Sequence, residues 1–181
     1  TVKDYLHGMP RWRMNLGDPN GEEVLSHKES IALFKELGAK FTPELKTPKV
    51  DMPFDGFTRK AYAQKLIDEY KAAGVDPSDV WPQSFHLEDV LYWIKSEPEF
   101  GKQAVFLEGR YRNGIDPNDR ATFSPTMQEL KNMGVNYVSA PLWMLVTTDG
   151  DEIVPSEYAK AAKQANVQLI AWTLERSGPL S

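Results

Sequence analysis

One arrangement recurs along this chain: an amphipathic helix, then a glycine or asparagine, then a short β-rich run. Ser26-His27-Lys28-Glu29 has capping-box spacing. Ile31, Phe34 and Leu37 follow at helical intervals, Gly38 can end the helix, and an extended run is expected over 41–46. Thr58 opens a second helix with Tyr62, Leu66 and Tyr70 on one face and Gly74 closing it, before a β-rich run at 80–85. A short helix over 87–94 precedes Gly101 and a strand at 104–107. Ser124-Pro125 places proline at an expected first helical position. Met127, Leu130 and Met133 form that helix's apolar stripe, Gly134 ends it, and 137–140 reads as extended. Residues 156–166 are expected to be helical and 167–173 a strand. Alternation of this kind implies parallel strands with helical crossovers, hence an α/β fold.

Two architectures satisfy that pattern: a (β/α) barrel and an open doubly wound sheet. Neither a Gly-x-Gly-x-x-Gly fingerprint nor a Walker loop occurs, so a nucleotide-binding sheet loses support. Polar residues gather instead at the C-terminal ends of the expected strands: Glu44 and Lys46, then Gln83, Ser84 and His86, then Glu108 and Arg110, then Glu175 and Arg176. In a barrel, catalytic groups come from several strand ends at that one face. The expectation is therefore a partial (β/α)8 TIM barrel of about five parallel strands, with a small open α/β sheet as the alternative. An eight-stranded barrel typically needs about 250 residues, and this chain has 181. The reading is one domain over 1–181, the central to C-terminal part of a barrel, with an irregular lead-in over 1–25 rich in Gly, Asn, Asp and Pro.

Composition narrows the function classes. The net charge is −5, and blocks of basic residues with interleaved aromatics are missing, which argues against nucleic acid as a ligand. No run approaches ~20 apolar residues, so no membrane span is expected. There are no cysteines, which excludes a disulfide framework and thiolate metal sites.

Phe41-Thr42-Pro43-Glu44-Leu45-Lys46 carries the sharpest chemical hint. Glu44 and Lys46 alternate with Leu45, so both point to the face opposite it. A carboxylate and an ammonium side by side suit a cation and an anionic substrate; the plain alternative is an internal pair that neutralises itself. The histidines are weaker candidates. His7 reads as loop surface, His27 as the solvated first turn of a helix, and His86 as a pocket-lining residue at a strand end. Ser84 lacks a His-Asp pattern for a nucleophile, but with Gln83 it could hydrogen-bond a substrate. Glu108 is either a site acid or the partner of Arg110, and Arg176 either a phosphate contact or the partner of Glu175. Trp143 and Met144, before an expected turn at 147–150, form either a rim or core.

These segments together resemble a known family. Phe41 to Lys46 looks like the Glu-x-Lys strand of glycerophosphodiester phosphodiesterases, and Gln83-Ser84-Phe85 resembles that family's Ser-Phe strand. Leu169-Ile170-Ala171-Trp172-Thr173 is similar to its Trp-Thr strand. Pro10-Arg11-Trp12-Arg13 and the run from Trp172 to Pro179 look like a bacterial branch of it. The resemblance implies a TIM-barrel hydrolase that cleaves glycerophosphodiesters to glycerol 3-phosphate and an alcohol with a divalent cation, calcium or magnesium. It carries a metal-ligand role to Glu44, a phosphate contact to Lys46 and a glycerol-lining role to Trp172. Gln83, Ser84 and Glu108 are further substrate-binding candidates by their own chemistry and their places at strand ends. The family's His-Arg-Gly and early Glu-x-Asp motifs have no counterpart here and would lie before Thr1. The resemblance also implies periplasmic or secreted placement. The rival expectation is a non-catalytic module that binds a phosphate ester or a partner chain, including self-association through exposed strand edges.

Overall fold

The computed structural model describes residues 24–173. The readings of His7, of Pro10 to Arg13, of nearly all the lead-in, and of Glu175 and Arg176 lie outside them. Helix α1 spans His27–Glu36, α2 Arg59–Ala72, α3 Leu87–Ser96, α4 Pro98–Gly101, α5 Met127–Asn132, α6 Leu142–Leu145 and α7 Glu157–Gln164. Strand β1 spans Gln83–Ser84, β2 Val105–Leu107, β3 Tyr137–Pro141, β4 Val146–Asp149, β5 Glu152–Pro155 and β6 Gln168–Trp172.

The fold is α/β. Strands β1, β2, β3 and β6 form a four-stranded sheet in that order, every pairing parallel. The run at 41–46 lies outside β1 in the same direction, bridging Phe41 to Val80 and Glu44 to Gln83. It is a pair of bridges rather than the continuous strand expected. Pro43 and Pro82 have no N–H to give, so neither segment can complete a ladder. Leu45 N–H still donates to Gln83 O at 2.9 Å, and Gln83 N–H to Pro43 O at 2.9 Å.

Local sequence explains most helix ends. Ser26 and Glu29 form the reciprocal capping box at α1. Gly74, at φ +64°, and Asn166, at φ +55°, take the left-handed conformation that lets the chain leave α2 and α7. At α5 the expectation needs correcting. Pro125 is not the first helical residue, because Thr126 is the cap and boxes with Glu129. A second correction concerns 147–150. Thr147 to Asp149 belong to β4, which pairs antiparallel with β5 across Gly150 and Asp151.

The sheet's alternation divides the molecule. Leu45, Phe106, Val138 and Ala140 join one buried cluster with Ile67 of α2, Trp93 of α3, Leu130 of α5 and Tyr158 of α7. Residues of opposite parity, such as Glu44, Gln83, Leu107 and Ile170, face a cleft instead. The helices therefore cover one face of the sheet and leave the other as a cleft wall. Trp93 ties the helical layer together, its indole N–H donating to Ala63 O at 3.0 Å.

Candidate active site

The cleft has a volume of about 450 Å³. Glu44 and Lys46 enter it from the edge segment, Gln83 and Phe85 from β1 and its C-terminal extension, and Trp172 from the end of β6. Side chains from the two outermost segments of the parallel array thus meet in one cavity. Leu45, between Glu44 and Lys46, is 4% exposed in the core, and this anchor fixes the direction of its neighbours. Lys46 Nζ donates to Glu44 Oε2 at 2.8 Å. The ammonium is largely solvated, while the carboxylate is mostly covered. Gln83 Nε2 donates to Thr42 O at 3.1 Å, which braces the edge segment against β1. Trp172 is held from two sides: its indole N–H donates to Ser139 O at 3.2 Å, and its ring meets Phe85 edge-to-face at 6.2 Å.

Ser84 and Glu108 are placed elsewhere, which corrects their grouping with the cleft residues. Both have the parity of the helix-facing side chains and are fully buried. Ser84 Oγ donates to Asp89 Oδ2 at 2.7 Å and accepts from His86 N–H at 3.0 Å. Asp89 also accepts two hydrogen bonds from Arg59, at 2.9 and 2.6 Å. Glu108 accepts from the Arg110 guanidinium, the Arg110 backbone N–H and Tyr158 Oη. Burial alone would lower the Arg110 pKa, but the Glu108 carboxylate outweighs it and holds the value above the ordinary one. Burial, with the same carboxylate, pushes the Tyr158 hydroxyl well up. Both carboxylates are thus committed to holding helices on the sheet.

The histidines also differ from expectation. His27 is not merely solvated: its Nδ1 lies 2.6 Å from Glu69 Oε2, and its ring meets Tyr70 edge-to-face at 5.1 Å. His86 precedes α3 rather than lining the cleft, with Nε2 2.8 Å from Thr47 Oγ1. Of the expected rim, Met144 is fully buried core, whereas Trp143 is half exposed.

The cleft's second cation was not singled out from sequence. Arg112, in the 3-10 turn Arg110–Asn113, reaches the cleft with its guanidinium 6.0 Å from the Phe85 ring and 5.4 Å from the Tyr111 ring. The signal was the pair Arg110-Tyr111-Arg112 after the strand: the lock on Glu108 consumes the first arginine and leaves the second to project outward.

A hard divalent cation takes six or more oxygen ligands. Among the described residues no group of three or more acidic or histidine side chains is positioned to hold an ion. They offer Glu44, already bonded to Lys46, and so do not by themselves make a complete cation site.

The site defines an α/β protein with a cleft on the open face of a parallel sheet, furnished with an acid, two cations and an indole. No family model matches the chain. It is 42% identical over 183 aligned positions to a protein of Arthroderma benhamiae named "Extracellular protein", an alignment that covers all of this chain and 74% of that one. The chain belongs to the family of that protein. No helix among the described residues is long and apolar enough to cross a membrane.

Proposed function

We propose that this chain carries part of the active site of a metal-dependent glycerophosphodiester phosphodiesterase, which releases glycerol 3-phosphate and an alcohol. The reading rests on one observation: the neighbouring pair Glu44 and Lys46 and the sequence-distant Trp172 line a single cleft. Lys46 and Arg112 would contact the phosphoryl oxygens and offset charge that builds in the transition state. Trp172 offers a flat wall to the glycerol, and Gln83 a side-chain amide. Glu44 would supply one oxygen to calcium or magnesium, whose chemistry is to polarise the phosphoryl group. The remaining ligands and the acid–base groups are assigned outside the described residues.

The same reading makes the parallel array a run of consecutive strands of a (β/α)8 barrel. Its support is the spatial order, which follows the sequence from the edge segment through β1, β2, β3 and β6, with the helices' buried residues on one face. Secretion is proposed on the printed name of the fungal relative.

A calcium titration of the intact protein, which would supply those groups, with a short glycerophosphodiester and an unrelated phosphomonoester tests the activity. Preferential cleavage of the diester is expected. Lys46→Met should lower kcat/KM by about 10²-fold or more. Glu44→Gln should raise the cation concentration needed for half-maximal rate by at least about tenfold. Preference for the monoester, or indifference to both substitutions, overturns the assignment. The Glu44–Lys46 bond favours a second reading, a module that binds phosphate esters without cleaving them. Binding with no turnover at any cation concentration would select it.

A further inference from the structure

Beside the cleft lies a second hollow of about 770 Å³, and the two share Arg112 and Trp172. Its other walls differ in chemistry. Tyr111, Leu142, Trp143 and Val146 supply aromatic and aliphatic surface, and among the described residues no acidic side chain lines it. Tyr111 and Trp143 meet edge-to-face at 5.3 Å, which sets their rings as a corner of the hollow. The apolar surface extends outward along the β4–β5 hairpin. Val146 pairs with Pro155 and Thr148 with Ile153, so these four share one hairpin face. Ile153 is 76% exposed there, and Leu142 and Trp143 are about half exposed on α6.

Leaving this much apolar surface in water is unfavourable, and its position beside a cation is informative. Arg112 stands at the junction of a polar compartment and an apolar one. A phosphate monoanion on its guanidinium would direct one ester substituent toward Glu44 and Lys46 and the other over Trp143. From this continuity we infer that the hollow receives the alcohol side of the phosphodiester, and that this alcohol is an apolar group such as an alkyl chain. The inference rests on the phosphodiesterase reading for the word "alcohol"; the recognition of an apolar phosphate ester stands on the two joined compartments.

Calorimetric titration of the 181-residue chain with ethyl phosphate and octyl phosphate tests it. Octyl phosphate should bind at least about tenfold more tightly, since two buried methylenes already supply such a ratio. Trp143→Ser and Val146→Asp, both at partly exposed positions, should each bring the ratio toward one, with circular dichroism reporting that the fold is kept. Equal affinities, no binding of either ester, or a ratio that survives both variants overturns the inference. The parent reading is separated by turnover. Cleavage of a short glycerophosphodiester with equal alkyl affinities removes the apolar subsite alone. A Trp143-dependent ratio with no diester cleaved by the intact protein removes the hydrolase and leaves an apolar phosphate-ester site.

Discussion

Asp89 shows how much one side chain can hold. It is 3% exposed and accepts hydrogen bonds from Arg59 at the start of α2 and from Ser84 on β1. Removing one partner of a buried ion pair strands the other. Asp89→Ala is therefore expected to cost about 3–5 kcal/mol, read as a lower urea midpoint, whereas Asp89→Asn should cost less because the Ser84 bond can persist. Glu69 gives a pH-dependent counterpart. Lys65 foremost, then His27, hold its carboxyl below the ordinary 4.5 against the opposing effect of burial. A depressed folded pKa means the stabilisation is complete above that ordinary value and is lost as pH falls through the lowered one. Glu69→Gln should thus flatten the decline in stability on the acid side of pH 4.5, measured as urea midpoints across that range. An unchanged acid slope would mean other carboxylates dominate. At this scale the cleft was half legible. Leu45 marks the parity that sends Glu44 and Lys46 the other way. The same rule, applied to Phe106 and Leu107, separates Glu108 from the site, but grouping residues by strand end alone ignored parity. Arg112 was hidden because a 3-10 turn obeys neither helical nor strand periodicity.

Elements read well wherever their signals are local. The capping box at α1 consists of residues three apart, and left-handed Gly74 closes α2 without tertiary help, whereas the equivalent box at α5, Thr126 with Glu129, was passed over for the adjacent Ser124-Pro125. The β4–β5 hairpin was missed although Asp149-Gly150 is a hairpin signal, because Thr147, Thr148 and Asp149 read equally as loop. Helix α4 escaped because four residues are too few to show a period. It also contains the glycine that sits closest to neighbouring backbone among those described. A Cβ built on Gly101 would stand 2.5 Å from Ile94 Cα and 2.6 Å from Trp93 O, both backbone atoms of α3. Backbone cannot swing aside as a side chain can. Gly101→Ala should force α3 and α4 apart and cost about 1–3 kcal/mol or more, seen as a lower thermal midpoint. A variant as stable as the parent would show that the elbow between these helices yields freely.

On the scale of the whole molecule, one buried cluster joins residues from α1 to α7 with the helix-facing side of the sheet. A single core of this kind is expected to melt as one cooperative unit. Phe106, near its middle and 3% exposed, is the position to test. Phe106→Ala should cost about 3–5 kcal/mol while far- and near-ultraviolet dichroism still melt together; separate transitions would reveal independent halves. The α/β class was legible because it depends only on the order of elements. Helices on one face go with the barrel that the strand-end residues favoured, and not with a doubly wound sheet, which carries helices on both. That one-sidedness has a consequence for change over time. Each strand of the parallel sheet interleaves two texts, one addressed to the helices and one to the ligand. Substitutions at Thr42, Ser139 and Ile170 can rewrite the second while the first is left intact. A lineage built on this scaffold is free to acquire new specificities without renegotiating how it folds.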